Sequence, residues 1–201
     1  MKIKDTIINK FEKAGMVTVI VVMLLRVWLG PVTNTSLLVF TTLLSIYYLW
    51  FSFFIFNKLA PLQMLNRDIV QSLYPFQIYI TILMGIILSY ALIAVLAGFM
   101  FFPLMHKIMF WALIALTGFT IYLTIYHIIR KKDFPFLKRY YYRAALYLGL
   151  LGLLLIPPVE TRLEILYRDH PEFIEAYLEW RENPDDEEAQ ERLRDIRSRF
   201  R

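Results

Sequence analysis

The chain has 201 residues, of which 58% are hydrophobic and only 19% are charged, a balance outside the range of ordinary soluble domains. It contains no cysteine, which excludes disulfide bonds, thiolate zinc sites, iron–sulfur clusters and a cysteine nucleophile. Residues 1–159 hold 14 Lys and Arg against four acids, whereas residues 160–201 hold 8 Arg against 13 acids. The composition indicates a basic, membrane-embedded body followed by an acidic tail in different surroundings.

The first elements predicted are an amphipathic segment and two membrane spans. Residues 1–14 interleave lysines with apolar residues and predict a short helix, whose charge either orients the protein or binds lipid. The first span is predicted over residues 16–29, where we expect the Arg26 side chain to reach the membrane surface beside the interfacial Trp28. Residues 36–56 form an uncharged run and predict the second span, since about 20 apolar residues cross a bilayer core of roughly 30 Å.

Three further spans are predicted over residues 76–102, 108–128 and 144–159. Ala94 and Gly98 are four residues apart, a spacing that allows a neighbouring helix to approach closely. The loops over residues 57–74 and 130–143 are basic, so the positive-inside rule predicts that they and the amino terminus are cytoplasmic and face anionic lipids. By counting spans, the tail is predicted to lie outside the cytoplasm.

The tail, residues 160–201, predicts three helical pieces over residues 160–168, 171–182 and 184–199. The second and third pieces begin with proline, and acids lie early and arginines late in the third, as the helix dipole favours. Phe173, Ile174, Tyr177 and Trp180 recur at helical spacing and form an apolar face. This face is predicted to contact a partner protein, with packing on the rest of the tail as the alternative.

A shift of 72 residues superimposes the first two spans on the third and fourth, which suggests two tandem hairpins. Polar residues then form a stripe along one face of the second span and a matching stripe along the fourth. No carboxylate or lysine occurs in the predicted spans, so hydrogen bonding between helices is favoured over a hydrated path between the hairpins. The two stripes are Thr41, Ser45, Tyr48 and Ser52, and Thr117, Thr120, Thr124 and His127.

The sequence offers few residues for catalysis. His106 and His127 fall at opposite ends of one predicted span, so they cannot hold the same metal, and His170 lies in the tail. No hydrolase, metalloprotease or phosphate-binding motif is present. We therefore predict no catalytic, cofactor-binding or metal-binding residues and no cofactor. The basic residues are spread over membrane-facing loops, which argues against nucleic acid as a partner.

Two turns and the tail carry a resemblance to a known family. Residues 26–31, RVWLGP, and residues 98–107, GFMFFPLMHK, are similar to a turn of the form F-K-x-x-H-W-P-G between two spans. This turn occurs in small membrane proteins of Bacteroidota related to the membrane part of the gliding and type 9 secretion motor protein GldL. The segment YRDHPEFIEAYLEWRENPDDEE, residues 167–188, also resembles the ends of proteins in that group. The resemblance implies an inner-membrane protein built from helical hairpins.

The sequence therefore predicts an all-α integral membrane protein with five transmembrane helices, arranged as two tandem hairpins plus one, and a C-terminal helical tail. We expect a non-enzymatic subunit or accessory of a larger envelope complex, with membrane lipids and a protein partner or a second copy as its contacts. The alternative is a small oligomeric transporter or channel that uses the two polar stripes. A membrane-embedded enzyme acting on lipid is the third hypothesis.

Overall fold

The computed structural model describes residues 7–65, 75–102, 104–130 and 134–199, and all regular structure in these ranges is helical. Short 3-10 helices cover Gly30–Thr33 and Pro61–Leu65. Much of the basic loop 57–74 that the sequence predicts lies outside the described residues. The α-helices of the described ranges are α1 (Ile7–Leu29), α2 (Asn34–Asn57), α3 (Pro75–Met100), α4 (Met105–Arg130), α5 (Pro135–Leu155), α6 (Val159–Leu166), α7 (Pro171–Glu182) and α8 (Glu187–Ser198).

Several of these helices are long and apolar enough to cross a membrane. In the described ranges, the stretches Ile7–Asn57, Pro75–Met100 and Met105–Arg130 meet this condition, and α5 and α6 meet it together although they are bent by 100°. The first stretch contains both α1 and α2, which turn back on each other at Gly30. The hydroxyl of Tyr47, in the middle of α2, donates a hydrogen bond to the carbonyl of Ile8, early in α1, at 3.0 Å. The prediction of an all-helical protein compatible with membrane insertion is thus confirmed.

Helix ends follow the turn chemistry of the sequence. Gly30 adopts a φ of +68°, a left-handed conformation that glycine accepts without strain, and Pro31 follows it in the 3-10 turn. Pro75, Pro135 and Pro171 each occupy the first position of a helix, where a missing N–H costs nothing. Residues 7–14, the described part of the amphipathic segment predicted over residues 1–14, are helical and form the first turns of α1.

Helix α3 lies at the centre of the bundle. Met84, Leu88, Leu92 and Val95 are fully buried along it. Gly98 allows α4 and α5 to approach, since a Cβ at this position would lie 2.6 Å from Met109 Sδ and 3.0 Å from Leu154 Cδ1. The close approach expected at Gly98 is therefore present.

Gly85 of α3 is packed even more tightly than Gly98. A methyl group at Gly85 would overlap the Ser52 side chain and the Tyr48 carbonyl of α2. We expect Gly85→Ala to destabilise the protein by about 1–3 kcal/mol, because overpacking forces side chains and backbone to shift. The measurement is thermal unfolding of the purified protein in detergent.

The matched control for this substitution is Gly118→Ala in α4. A Cβ at Gly118 would have no atom within 4 Å. It should leave the unfolding temperature unchanged or raise it slightly, since alanine favours a helix over glycine. Equal effects of the two substitutions would show that α2 and α3 are not packed as described.

Helices α6, α7 and α8, residues 159–199, lie across one end of the bundle, and we call them the cap. Arg26 near the end of α1 donates a hydrogen bond to the carbonyl of Leu166 in α6 at 2.7 Å. Arg197 of α8 donates another to the carbonyl of Phe101, just after α3, at 2.7 Å. The cap is therefore fixed to the bundle through backbone carbonyl groups as well as through apolar contacts.

Candidate functional site

A buried ion pair joins α1 to α5 in the half of the bundle away from the cap. Both carboxylate oxygens of Glu12 accept hydrogen bonds from Arg143, one from Nε and the other from Nη2. This bidentate arrangement is the strong form of an arginine–carboxylate pair. The Glu12 side chain is fully buried and that of Arg143 is 12% exposed. The pair therefore binds the first bundle helix to the last one.

Two tyrosines complete this cluster. The Tyr48 hydroxyl donates to Glu12 Oε1 at 2.7 Å, and the Tyr147 hydroxyl donates to the Tyr48 oxygen at 3.3 Å. The Arg143 guanidinium also lies 5.3 Å from the centre of the Phe56 ring. Because the carboxylate has both a cation and a hydroxyl donor, its burial is compensated. We call Glu12, Arg143, Tyr48 and Tyr147 the ionic cluster.

The buried face of α1 brings Glu12 into the interior. Ile8, Glu12, Val19, Met23 and Arg26 are all buried, at spacings of three, four and seven residues. These spacings place them on one face of a helix. Glu12 therefore lies on the buried face of α1, four residues before the first predicted span, which itself contains no carboxylate. The helical spacing of apolar residues in the first span continues back to Ile8, and Glu12 falls on the same face. This spacing is the sequence signal for the burial of Glu12.

Arg26 lies in the protein interior, which contradicts the expectation of a side chain extended to the membrane surface. It has no exposed area, and its guanidinium lies 4.6 Å above the centre of the Tyr167 ring. Its Nη1 is bonded to the Leu166 carbonyl, while Nε and Nη2 have no hydrogen-bond partner among the described residues. The cap covers Arg26, so this arginine is not solvated there. Trp28 is 79% exposed, and its interfacial position stays a prediction.

The apolar face of α7 is covered by the chain itself, so the prediction that it contacts a partner is wrong for Phe173 and Tyr177. Phe173 is fully buried and stacks on Tyr167 with ring centres 4.0 Å apart. Tyr177 is 3% exposed, and its ring centre lies 5.4 Å from that of Phe101. Burial raises the pKa of the Tyr177 hydroxyl. Ile174 and Trp180 are half-buried against the same core.

The polar stripe of α2 contacts the neighbouring helices. Ser45 shares a 2.7 Å hydrogen bond with Ser89 of α3, and Ser52 faces Gly85. Tyr48 belongs to the ionic cluster. Thr41 is fully buried, and its hydroxyl has no hydrogen-bond partner among the described residues. These contacts favour the packing interpretation of this stripe.

The polar stripe of α4 has different surroundings. Thr120 donates to its own helix at Leu116 and lies 3.1 Å from the Tyr140 hydroxyl of α5. Thr124 is exposed, and Thr117 and His127 are half-buried. The α2 stripe contacts α1, α3 and α5, whereas the contact of the α4 stripe with another helix is to α5 among the hydrogen bonds described here. The repeated pattern in the sequence therefore does not produce equivalent environments.

A second buried arginine, Arg162 of α6, lines a cavity of about 260 Å³ beneath the cap. It is 4% exposed, its Nη2 lies 3.5 Å from His106 Nε2, and its guanidinium lies 5.6 Å from the Phe101 ring centre. Nε and Nη1 have no hydrogen-bond partner among the described residues. Burial lowers the pKa of Arg162, although arginine keeps its charge in proteins. Arg162 lies three residues after the buried Val159 and four residues before the buried Leu166. This helical spacing is the sequence signal that places Arg162 on the buried face of α6.

The outer surface of the cap is acidic. Every carboxylate of the cap lies on exposed residues, while Arg162 is buried and Arg197 is half-buried. The cap therefore directs its acids to solvent and part of its positive charge inward. These acids are Glu160, Glu164, Asp169, Glu172, Glu175, Glu179, Glu182, Asp185, Asp186, Glu187, Glu188, Glu191 and Asp195.

Histidines and acids do not gather into a metal site in the part of the chain that the structure describes. Arg168 and Asp169 form an exposed ion pair at 3.4 Å, between α6 and α7. Comparisons with protein-family models, with characterised proteins and with solved structures find no match to this chain. The resemblance to the gliding-motor group therefore stays a hypothesis, and function must be argued from the geometry.

Proposed function

We propose that this chain is a five-span protein of the inner membrane that serves as a non-enzymatic subunit or accessory of an envelope complex. Helices α1 to α5 are the spans, the amino terminus is cytoplasmic, and the cap lies outside the cytoplasm. The partner contacts the acidic outer surface of the cap and carries a basic segment. The proposal keeps the tail as the working part and moves the contact from its apolar face to its charged face.

The distribution of charge along the helices supports this orientation. Lys10, Lys58, Arg130 and Lys138 lie at the helix ends opposite the cap. Basic residues are retained on the cytoplasmic side of membrane proteins, where they also attract anionic lipids. The acid-rich cap occupies the other end of the bundle. Lys and Arg at the ends of several spans on one side are what the positive-inside rule expects of the cytoplasmic side.

The observation that carries the proposal is the exposure of all the cap's carboxylates on a cap that is tightly fixed to the bundle. An acidic surface of this kind accelerates association with a basic partner and selects against acidic ones. Since the fixed cap does not have to be ordered on binding, little conformational entropy is lost there. A transport role has less support, because the α2 stripe is used in hydrogen bonds and close packing with the neighbouring helices.

The proposal is tested by neutralising three exposed acids of the cap, Glu175→Gln, Glu182→Gln and Glu191→Gln, in one variant. We expect a partner that co-purifies with the wild-type protein in mild detergent to be lost at least five-fold from this variant. The partner should also dissociate at 1 M salt, where the screening length is only about 3 Å. Quantitative mass spectrometry of the purified complexes gives both values.

The control variant neutralises three exposed lysines at the other end of the bundle, Lys10→Gln, Lys13→Gln and Lys138→Gln. It changes net charge by the same amount and should retain the partner. Retention of the partner by both variants, at both salt concentrations, would contradict the proposed contact. Loss from the lysine variant alone would place the contact at the cytoplasmic end instead.

A further inference from the structure

A histidine and an arginine connect the cap to the start of α4. Nη2 of Arg162 in α6 lies 3.5 Å from Nε2 of His106, the second residue of α4. Since arginine can only donate, Nε2 is the acceptor, and the imidazole in this contact is neutral with its proton on Nδ1. Among the described residues, His106 is the only hydrogen-bond partner of the buried Arg162. A buried cation of the cap therefore depends on an uncharged imidazole of the bundle.

The charged groups around His106 are mostly positive. Arg162 of α6 and Arg181 of α7 both act on the imidazole electrostatically, and the carboxylate of Glu160 in α6 opposes them. Glu160 also acts on Arg162, but its Oε1 is bonded to Nη1 of Arg181 at 2.5 Å. On α4 itself, the neighbour of His106 is Lys107. A second positive charge on His106 would therefore be repelled from two sides and attracted by one acid that is already paired.

Helix α6 has a bend on one side and open space below it. It follows α5 after a bend of 100°, and Pro157 and Pro158 lie in the connection. A cavity of about 260 Å³ lies between α6 and the ends of α1 and α5, so the apolar packing below α6 is incomplete. The hydrogen bond from Arg26 to the Leu166 carbonyl holds the far end of the helix. The start of α6 can therefore move while the rest of the cap stays attached.

We propose that His106 is a pH sensor for the cap, whose protonation ends the contact with Arg162 and loosens α6 from the bundle. Imidazolium is a donor at both nitrogens, so Nε2 can no longer accept a hydrogen bond. Two positive charges 3.5 Å apart also repel each other, and more strongly where one of them is buried. The contact is therefore complete when His106 is neutral, and it is lost as the pH falls and His106 gains its proton.

Other groups of the cap titrate outside the range in which this change is expected. Histidine changes charge between about pH 5 and 8, whereas exposed carboxylates titrate near pH 4. A hydrogen bond from its own backbone and another from Arg181 lower the pKa of Glu160, so this acid stays charged. The cap contains one other histidine, His170, just before α7. The sensor uses none of the acids tested for the partner contact, so it is independent of the proposed function.

The test measures the distance between α6 and α4 in the full chain by double electron–electron resonance. The chain has no cysteine, so Glu164→Cys and Ile114→Cys, both at exposed positions, attach one spin label to each helix. We expect one narrow distance distribution at about pH 7.5 in detergent. A population at longer distance should grow about ten-fold at about pH 5, across the range in which histidine titrates.

Three variants of the labelled protein assign the change to His106. His106→Gln keeps an acceptor that cannot be charged, and it should give the narrow distribution at both pH values. His106→Lys carries a permanent positive charge, and it should give the longer distances at both. His170→Gln is the matched control and should respond to pH as the wild type does.

Three results would overturn the proposal. They are a wild-type distribution that does not change with pH, a pH response that persists in His106→Gln, and a response that disappears in His170→Gln. Thermal unfolding in detergent verifies that each variant is folded. Should His106→Lys be unfolded, the comparison of His106→Gln with His170→Gln decides.

Discussion

Glu12→Gln should lower the free energy of unfolding by about 3–5 kcal/mol, the usual cost of removing one partner from a buried ion pair. Glutamine keeps the shape of the side chain but leaves the Arg143 charge without its counterion inside the bundle. Tyr48 would at the same time lose its charged acceptor. The measurement is thermal or denaturant-induced unfolding of the purified protein, followed by tryptophan fluorescence.

Two comparisons isolate the cause of this loss. The exposed pair of Arg181 and Glu160 is the matched control, and Glu160→Gln should change stability very little because water screens both groups. The double substitution Glu12→Gln and Arg143→Met should recover part of the stability, since no uncompensated charge stays buried. The pairing would be contradicted if Glu12→Gln were as stable as the wild type. It would also be contradicted if the double variant lost more stability than the sum of the losses in the two single variants.

Phe173→Ala should separate the cap from the bundle. Phe173 is fully buried and packs on Tyr167 and Tyr177, whose rings both contact Phe101 just after α3. Truncating such a phenylalanine usually costs about 3–5 kcal/mol. We expect protease to cleave residues 159–199 much faster in this variant while the spans stay protected by detergent. Limited proteolysis with mass spectrometry of the fragments measures both effects.

Phe11→Ala is the control for that substitution, because the Phe11 side chain is 67% exposed. It should leave cap proteolysis at the wild-type rate. If Phe173→Ala also had no effect, the aromatic cluster would not hold the cap. The apolar face of α7 would then be free for a partner, as the sequence pattern first suggested.

The sequence was sufficient to predict the helical class and the apolar helices. The uncharged run over residues 36–56 and the proline and glycine breaks at Gly30 and Pro135 determine where helices can form. These are local signals, so a single sequence carries them. The helical nature of the tail follows equally from its proline starts and its apolar spacing.

The candidate sites could not be predicted in this way, because their partners are distant in the sequence. Arg26 donates a hydrogen bond to the carbonyl of Leu166, 140 residues away, and Glu12 pairs with Arg143, 131 residues away. A charge beside an apolar run is ordinarily exposed at the membrane surface, and only the buried face of α1 reverses that expectation. The matching stripes of α2 and α4 have different surroundings for a related reason. The neighbours of a helix decide which of its faces is buried, and a single sequence does not name those neighbours.

The distance between Arg26 and Leu166 along the chain also has a consequence for biosynthesis. Ribosomes add about 5–20 residues per second, so the 140 residues between the two positions take roughly 7–28 s to make. During that interval Arg26 lacks the carbonyl that later binds it, and a charged side chain within a bilayer is costly. Arg26 therefore stays without this partner until α6 has been made. A chain that ends before Leu166 should leave this arginine unshielded and become a substrate for membrane proteases.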